Sequence, residues 1–263
     1  MTAWMKRAGG CGCAAVLAVI LVVSLVVWAL SFLNVPSPTR RLVPVPDNVP
    51  PQEAVAVTSI DVHAAGRTAD ELAGWSAPLE GPLDVSGQAL RAYGNAELIA
   101  REAWPECHLR WNTLAGLGWV ETRHGTYNGN WFSPSHLDDG GYPTPAIVGI
   151  PLDGRNGTAE IPDTDGGAVD GDAEHDRAVG PLQFIPETWK RFGSDANGDG
   201  VADPNQIDDA AVGAAALLCA DGRDMTDPQD WVAAVMSYNA SDEYVRRVAA
   251  AANSYAIGQP ATS

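Results

Sequence analysis

The period of apolar positions changes several times along the chain, and each change marks an element. Cys13 to Leu33 is one uncharged apolar run in which Ser24 and Ser31 are the only polar side chains. A run of this length crosses a bilayer as a helix. It predicts a transmembrane anchor over 13–33 behind a cytoplasmic segment 1–12 that carries Lys6 and Arg7. Ala29-Leu30-Ser31 has the shape of a cleavage site, so a removed signal peptide is the alternative. Pro36, Pro38, Pro44, Pro46, Pro50 and Pro51 then predict a semi-rigid extended linker. Thr68-Ala69-Asp70-Glu71 fits a capping box and opens a short helix to about Trp75, so that linker and short helix fill 34–83.

From 84 to 255 the period is mostly helical. A helix begins after Ser86, carries Leu90, Tyr93, Glu97 and Leu98, and stops before Pro105. A second covers Arg110–Thr122. Pro186 to Phe192 is a short helix closed by Gly193. Ala210 to Ala220 is a small-residue helix, buried all round and closed near Gly222. Asp227-Pro228 starts a helix with Trp231, Val235 and Tyr238 on one face, and Ser241 caps a last one bearing Tyr244, Val245 and Val248. Residues 256–263 form a tail. Between about 125 and 178 no helical period exists, and Gly, Asp and Pro abound. That stretch predicts a long loop with a hairpin around Ala146–Ile150 and Ala159–Ile161. The expected class is mainly α, one helical domain over 84–255 with long loops.

One position breaks the apolar pattern. Trp111, Leu114, Gly118 and Glu121 share a helical face, and the last of them is an acid. A carboxyl group at the edge of an apolar stripe loses hydration, which raises its pKa. Such an acid can donate a proton near neutral pH. A helix end with Glu121 simply in water is the plainer reading of that one position.

Charge and cysteines narrow the setting. The net charge is −17, and residues 1–41 hold four basic residues and no acid, so the remainder is more acidic than the whole. An acidic body without a basic stripe argues against nucleic acid as a partner. Cys11 and Cys13 sit at the cytoplasmic edge of the apolar run. Cys107 and Cys219 are alone in the exported part, where two cysteines most simply pair with each other. Neither has the spacing of a zinc ligand.

Three motifs follow in order: Glu121-Thr122-Arg123-His124-Gly125, then Gly180-Pro181-Leu182-Gln183-Phe184-Ile185-Pro186, then Ser237-Tyr238-Asn239-Ala240-Ser241. Together they resemble the lytic murein transglycosylases of the membrane-bound B type and, more widely, the goose-type lysozyme-like superfamily. The resemblance spans roughly residues 85–255. It implies a lysozyme-like fold and makes Glu121 the single catalytic acid. It implies that Gln183 lines a saccharide groove and that Tyr238 and Asn239 face the acid across it. The implied substrate is the glycan strand of peptidoglycan, cut between N-acetylmuramic acid and N-acetylglucosamine with a 1,6-anhydro end. Ordinary glycosidases use two carboxylates, and no second acid stands in an equally marked motif. Among the loop acids Asp163, Asp165, Asp170, Asp172 and Asp176, the last is the best placed to reach the groove and hold a water. A hydrolytic muramidase and a catalytically silent wall-binding module are therefore the rival readings.

Asp195-Ala196-Asn197-Gly198-Asp199-Gly200-Val201-Ala202-Asp203 fits the first nine positions of an EF-hand loop. Its metal ligands would be Asp195, Asn197, Asp199, the Val201 carbonyl and Asp203, around a structural calcium ion. Position 12 is Gln206 where an acid is usual, which predicts weak binding. A polar turn is the alternative. His124 is read as a surface or groove residue, and the other histidines form no metal cluster.

Overall fold

The computed structural model describes residues 42–130, 132–155 and 157–262. The expected cytoplasmic segment and anchor lie outside them. No helix among the described residues is long and apolar enough to cross a membrane. Residues 44–263 form a compact, mainly helical unit. A 3-10 turn, Thr68–Leu72, runs into α1, Ala73–Leu83. Then follow α2, Gly87–Ala103, and α3, Trp111–Thr122. Two-residue strands β1, His136–Leu137, and β2, Pro143–Thr144, pair antiparallel with His136 opposite Thr144. The chain ends with α4, Pro186–Phe192, α5, Ile207–Leu218, α6, Pro228–Tyr238, and α7, Asp242–Ala256.

Local chemistry sets most helix starts. Ser86 accepts from the Ala89 N–H, Asp227 from Gln229 and Asp230, and Ser241 from Tyr244. Each such cap contributes about 1 kcal/mol. The capping box expected at Thr68 does not form: Thr68 Oγ1 donates instead to Asn95 Oδ1 at 3.1 Å, and the turn has no side-chain cap. Burying Thr68 against α2 outweighs a local cap. The following helix also runs on to Leu83 through Pro78 and Pro82, well past the expected end.

The core gathers Trp111, Trp231, Tyr93, Leu90, Leu114, Leu117 and Leu218, all essentially inaccessible. Each such side chain contributes about 1.5–3 kcal/mol by leaving water. The most extensive helix packing is α3 against α7. Gly116 permits that close crossing, since a Cβ there would lie 2.8 Å from the Val248 carbonyl oxygen.

The expected linker is corrected where it is described. Residues 48–57 form a strap bound to the body. Trp111 Nε1 donates to the Val55 carbonyl, Trp75 Nε1 to that of Ala56, and Asn112 Nδ2 to that of Gln52. Asn253 receives the Gln52 N–H and donates to the Asn48 carbonyl. Prolines spoil helix and sheet but leave carbonyls free, and indole and amide donors from the core take those carbonyls up. The tail is also seated, with Gln259 and Ala261 buried.

The 125–178 loop is held by its own acids. Asp163 accepts from the N–H groups of Asp165, Gly166 and Gly167, and Asp165 from those of Gly167, Ala168 and Val169. A hairpin does occur, but with Asp153 opposite Glu160, and Val148 pairs with Val179 instead. The Cys107–Cys219 disulfide forms, with Cα atoms 5.4 Å apart, and ties the turn before α3 to the end of α5.

Candidate active site

Glu121 stands in the last turn of α3, half-buried. The Tyr244 hydroxyl, three residues into α7, donates to Glu121 Oε1. Burial raises the Glu121 pKa from the ordinary 4.5 to about 7, against the Tyr244 hydrogen bond and the Arg247 charge, which both pull it down. Burial likewise lifts the Tyr244 and Tyr238 hydroxyls well above their usual range, and the Glu121 charge adds to it. Both phenols therefore remain protonated donors at any pH the protein meets.

The next residue, Thr122, is buried and hangs the second motif from α3. Its hydroxyl donates to the Pro181 carbonyl at 2.6 Å and accepts from the Gly125 N–H at 2.8 Å. Val179 and Phe184 exchange backbone hydrogen bonds, which closes Gly180–Gln183 into a tight loop. Gly180 has φ +74° and touches another segment so closely that a Cβ would sit 2.0 Å from the Pro204 oxygen. Gln183 is left-handed, φ +51°, and half-buried, with Nε2 donating to the Gly180 carbonyl at 3.0 Å.

Tyr238, the last residue of α6, closes the arrangement from the other side. Its hydroxyl donates to the Leu182 carbonyl at 2.5 Å. Its ring lies 6.5 Å from that of Tyr244, 8° from parallel, and 5.7 Å from Phe184. The loop between Gly180 and Gln183 is thus held by Thr122 on one side and Tyr238 on the other. Asn239 ends α6 in extended conformation with its side chain exposed. The three motifs meet around Glu121 through these contacts. Such a site can hold a proton near neutrality and sets the Tyr244 hydroxyl and the tyrosine rings beside it.

Two expectations are corrected here. Asp176 does not reach this site: it is fully buried, and both carboxylate oxygens are occupied by the N–H and hydroxyl of Thr164. It organises the loop. His124 is not a surface residue but lies buried between Tyr93 and Tyr255, with its ring nitrogens 3.2 and 2.8 Å from their hydroxyls. Burial first, and the Arg123 charge second, bring its pKa down to about 3, so it stays neutral. A helix end at Thr122 would place residue 124 in water, but φ +52° and +61° at Arg123 and His124 turn the chain back onto the core.

Tyr244 and Thr122 are the contributors that sequence reasoning did not assign. Tyr244 stood beside the third motif, six residues after Tyr238, and its place behind the Ser241 cap was the available signal. Thr122 carried none beyond its adjacency to the acid.

In the Asp195–Asp203 segment the side-chain oxygens accept from the loop's own backbone N–H groups. Asp195 accepts from Gly198 and Gly200, and Asn197 and Asp199 accept from residues two further on. At position 12, however, the Gln206 oxygen caps α5 by accepting from Asp208 and Asp209. The buried acid that clasps the loop is Asp209, which accepts the N–H groups of Ala196, Asn197 and Asp203. Burial raises its pKa to about 6, with those hydrogen bonds pulling the other way. Among the described residues the carboxylates that converge within 4.8 Å are those of Asp163, Asp165 and Asp176. Cavities of about 500 and 340 Å³ lie at Trp104, beside the ends of α2 and α5, and neither is lined by Glu121. No protein-family model, curated protein or solved structure matches this chain.

Proposed function

We propose that the protein is a lytic transglycosylase with a lysozyme-like helical domain, acting on the glycan strands of peptidoglycan outside the cytoplasm. The observation that carries this reading is the isolation of Glu121. Among the described residues the groups that act on its carboxyl are Tyr244 and Arg247, neither of them a carboxylate, while burial raises its pKa to about 7. A glycosidase that hydrolyses by the ordinary route needs a second acid as nucleophile or base. A strand that supplies its own nucleophile needs one tuned acid.

In this reading Glu121 gives its proton to the glycosidic oxygen as the bond from the muramyl anomeric carbon breaks. The resulting carboxylate then removes the proton of the muramyl 6-hydroxyl, whose oxygen bonds to the anomeric carbon. No water is consumed, the acid is regenerated, and the product carries a 1,6-anhydro end. Tyr244 holds the carboxyl in place and favours its ionised form after the first transfer. Gln183 and Asn239 supply amide groups for the sugar, and Tyr238 fixes the loop that carries Gln183.

The disulfide supports an oxidising compartment, and the apolar run Cys13–Leu33 supports a membrane anchor. Purified peptidoglycan digested by the protein should yield 1,6-anhydromuramic ends, read by mass spectrometry. The Glu121→Gln variant should lose turnover by at least roughly 10²–10⁴-fold. Reducing muramic ends instead would make it a hydrolase. Cleavage surviving in the variant would place the acid elsewhere.

A further inference from the structure

Eleven arginines fall among the described residues, and eight of them pair with a carboxylate. The three without a carboxylate partner there are Arg123, Arg191 and Arg247. One of these, Arg247, acts on Glu121, and a second, Arg123, is acted on by Arg247. Arg123 follows Glu121 by two positions at the end of α3. Its guanidinium lies 3.9 Å over the Trp119 ring, and one nitrogen donates to the Trp119 carbonyl at 3.0 Å. Those contacts fix the group in place and leave its charge uncompensated. Arg247 is three residues after Tyr244, on the same side of α7, and Tyr244 reaches Glu121. The Arg247 charge acts on Glu121, on Tyr244 and on Arg123. Arg247 is therefore the group that links the acid and its tyrosine to the second guanidinium.

In a chain of net charge −17, acids are plentiful and most arginines have found one. Two half-buried guanidiniums that repel each other, with an acid whose pKa is raised to about 7 for company, are costly in the free protein. Burial and the Arg247 charge together pull the Arg123 pKa down, which expresses that cost. An anion arriving with the substrate would remove it. Guanidinium groups bind carboxylates through paired hydrogen bonds. Muramic acid differs from N-acetylglucosamine by a 3-O-lactyl group, so the strand carries a carboxylate either there, when the lactyl end is free, or within the peptide attached to it.

We infer that Arg247 and Arg123 form a cationic subsite that takes a carboxylate of the glycan strand on its lactyl side, next to the bond facing Glu121. The inference rests on the reading of the protein as a peptidoglycan-cleaving enzyme, and it makes the preferred substrate an anionic strand rather than a neutral one.

The test is calorimetric binding in a Glu121→Gln background, which stops turnover. The probes are neutral N-acetylglucosamine oligomers, alternating strands with free lactyl groups, and the same strands bearing peptides. One of the two anionic strands should bind about tenfold tighter than the neutral oligomer, a discounted value for charge-assisted hydrogen bonds at a half-exposed site. Which of the two does so identifies the source of the carboxylate. The gap should narrow as salt rises, close on Arg247→Gln, and persist in part on Arg247→Lys. Equal affinity for all three probes, or a gap untouched by Arg247→Gln, overturns the subsite. Cleavage by the unaltered protein is measured alongside. Discrimination without cleavage overturns the enzymatic reading and leaves the subsite standing, cleavage without discrimination does the reverse, and binding to none of the probes overturns both.

Discussion

Replacing Glu121 by Gln should make the protein more stable, and only above mildly acidic pH. In the folded state the Glu121 pKa is raised from 4.5 to about 7 by burial. A carboxyl with a raised folded pKa binds its proton more tightly in the native than in the unfolded chain. Its favourable contribution is therefore complete below about pH 4.5 and is lost as pH climbs through 7. A shift of that size, at about 1.4 kcal/mol per unit, corresponds to about 3 kcal/mol. Because Glu121 is half-buried, about 2–3 kcal/mol is the working figure. Gln has nearly the same volume, still offers an oxygen to the Tyr244 hydroxyl, and never ionises. Chemical denaturation of both proteins from pH 4 to 9 should therefore show curves that nearly meet at pH 4, separate between 5 and 7, and run parallel above 8. In melting temperature the plateau is about 5–10 °C in favour of the variant, for a body of this length. Other titrating groups are common to both proteins and cancel in the difference. A variant that is equally stable at pH 8, or a gap independent of pH, would refute the claim that the fold keeps this acid short of water. The instability has a functional sense, since a desolvated acid is what proton donation near neutrality requires.

Tyr244→Phe removes a donor that favours the ionised carboxyl, so the Glu121 pKa should rise by about one unit for a bond of about 1.5 kcal/mol. The basic limb of the pH–rate profile, where the protonated acid is lost, should move up accordingly, and an unmoved limb would disconnect Tyr244 from the acid. Cys107 and Cys219 are separated by 112 positions, and replacing both by Ser should cost about 4–5 kcal/mol in the chain-entropy account, read as a drop in denaturation midpoint. Asp209→Ala should cost on the order of 2–4 kcal/mol by stranding three N–H groups, against less than about 1 for Asp199→Ala. We propose that calcium binds the Asp195–Asp203 loop weakly, with Kd on the order of 10⁻⁴–10⁻³ M. Melting temperature should then rise with millimolar calcium in the unaltered protein and not in Asp199→Ala, and no rise at 10 mM would leave the loop a turn.

What the sequence determined by itself is what short-range chemistry decides. Ser86, Asp227 and Ser241 announce helix starts because a cap and the N–H groups it satisfies lie within three residues of each other. The helical period of the 84–255 stretch and the acid at its odd place in the Trp111–Glu121 face were legible for the same reason. So was the pairing of Cys107 with Cys219, since elimination leaves each no other partner in the exported part. Tertiary structure decided everything that depends on which distant group arrives. Tyr244 reaches Glu121 across 123 positions, and the local pattern that sets it behind the Ser241 cap does not say which distant group it meets. Asp176 and Asp209 look like any loop acids until packing turns them onto backbone N–H groups, and the same proline-rich stretch reads as a linker or a strap until Trp75, Trp111 and Asn112 claim its carbonyls. His124 shows the limit most plainly: a helix end predicts exposure, and two left-handed residues, affordable only because Tyr93 and Tyr255 await the ring, reverse it.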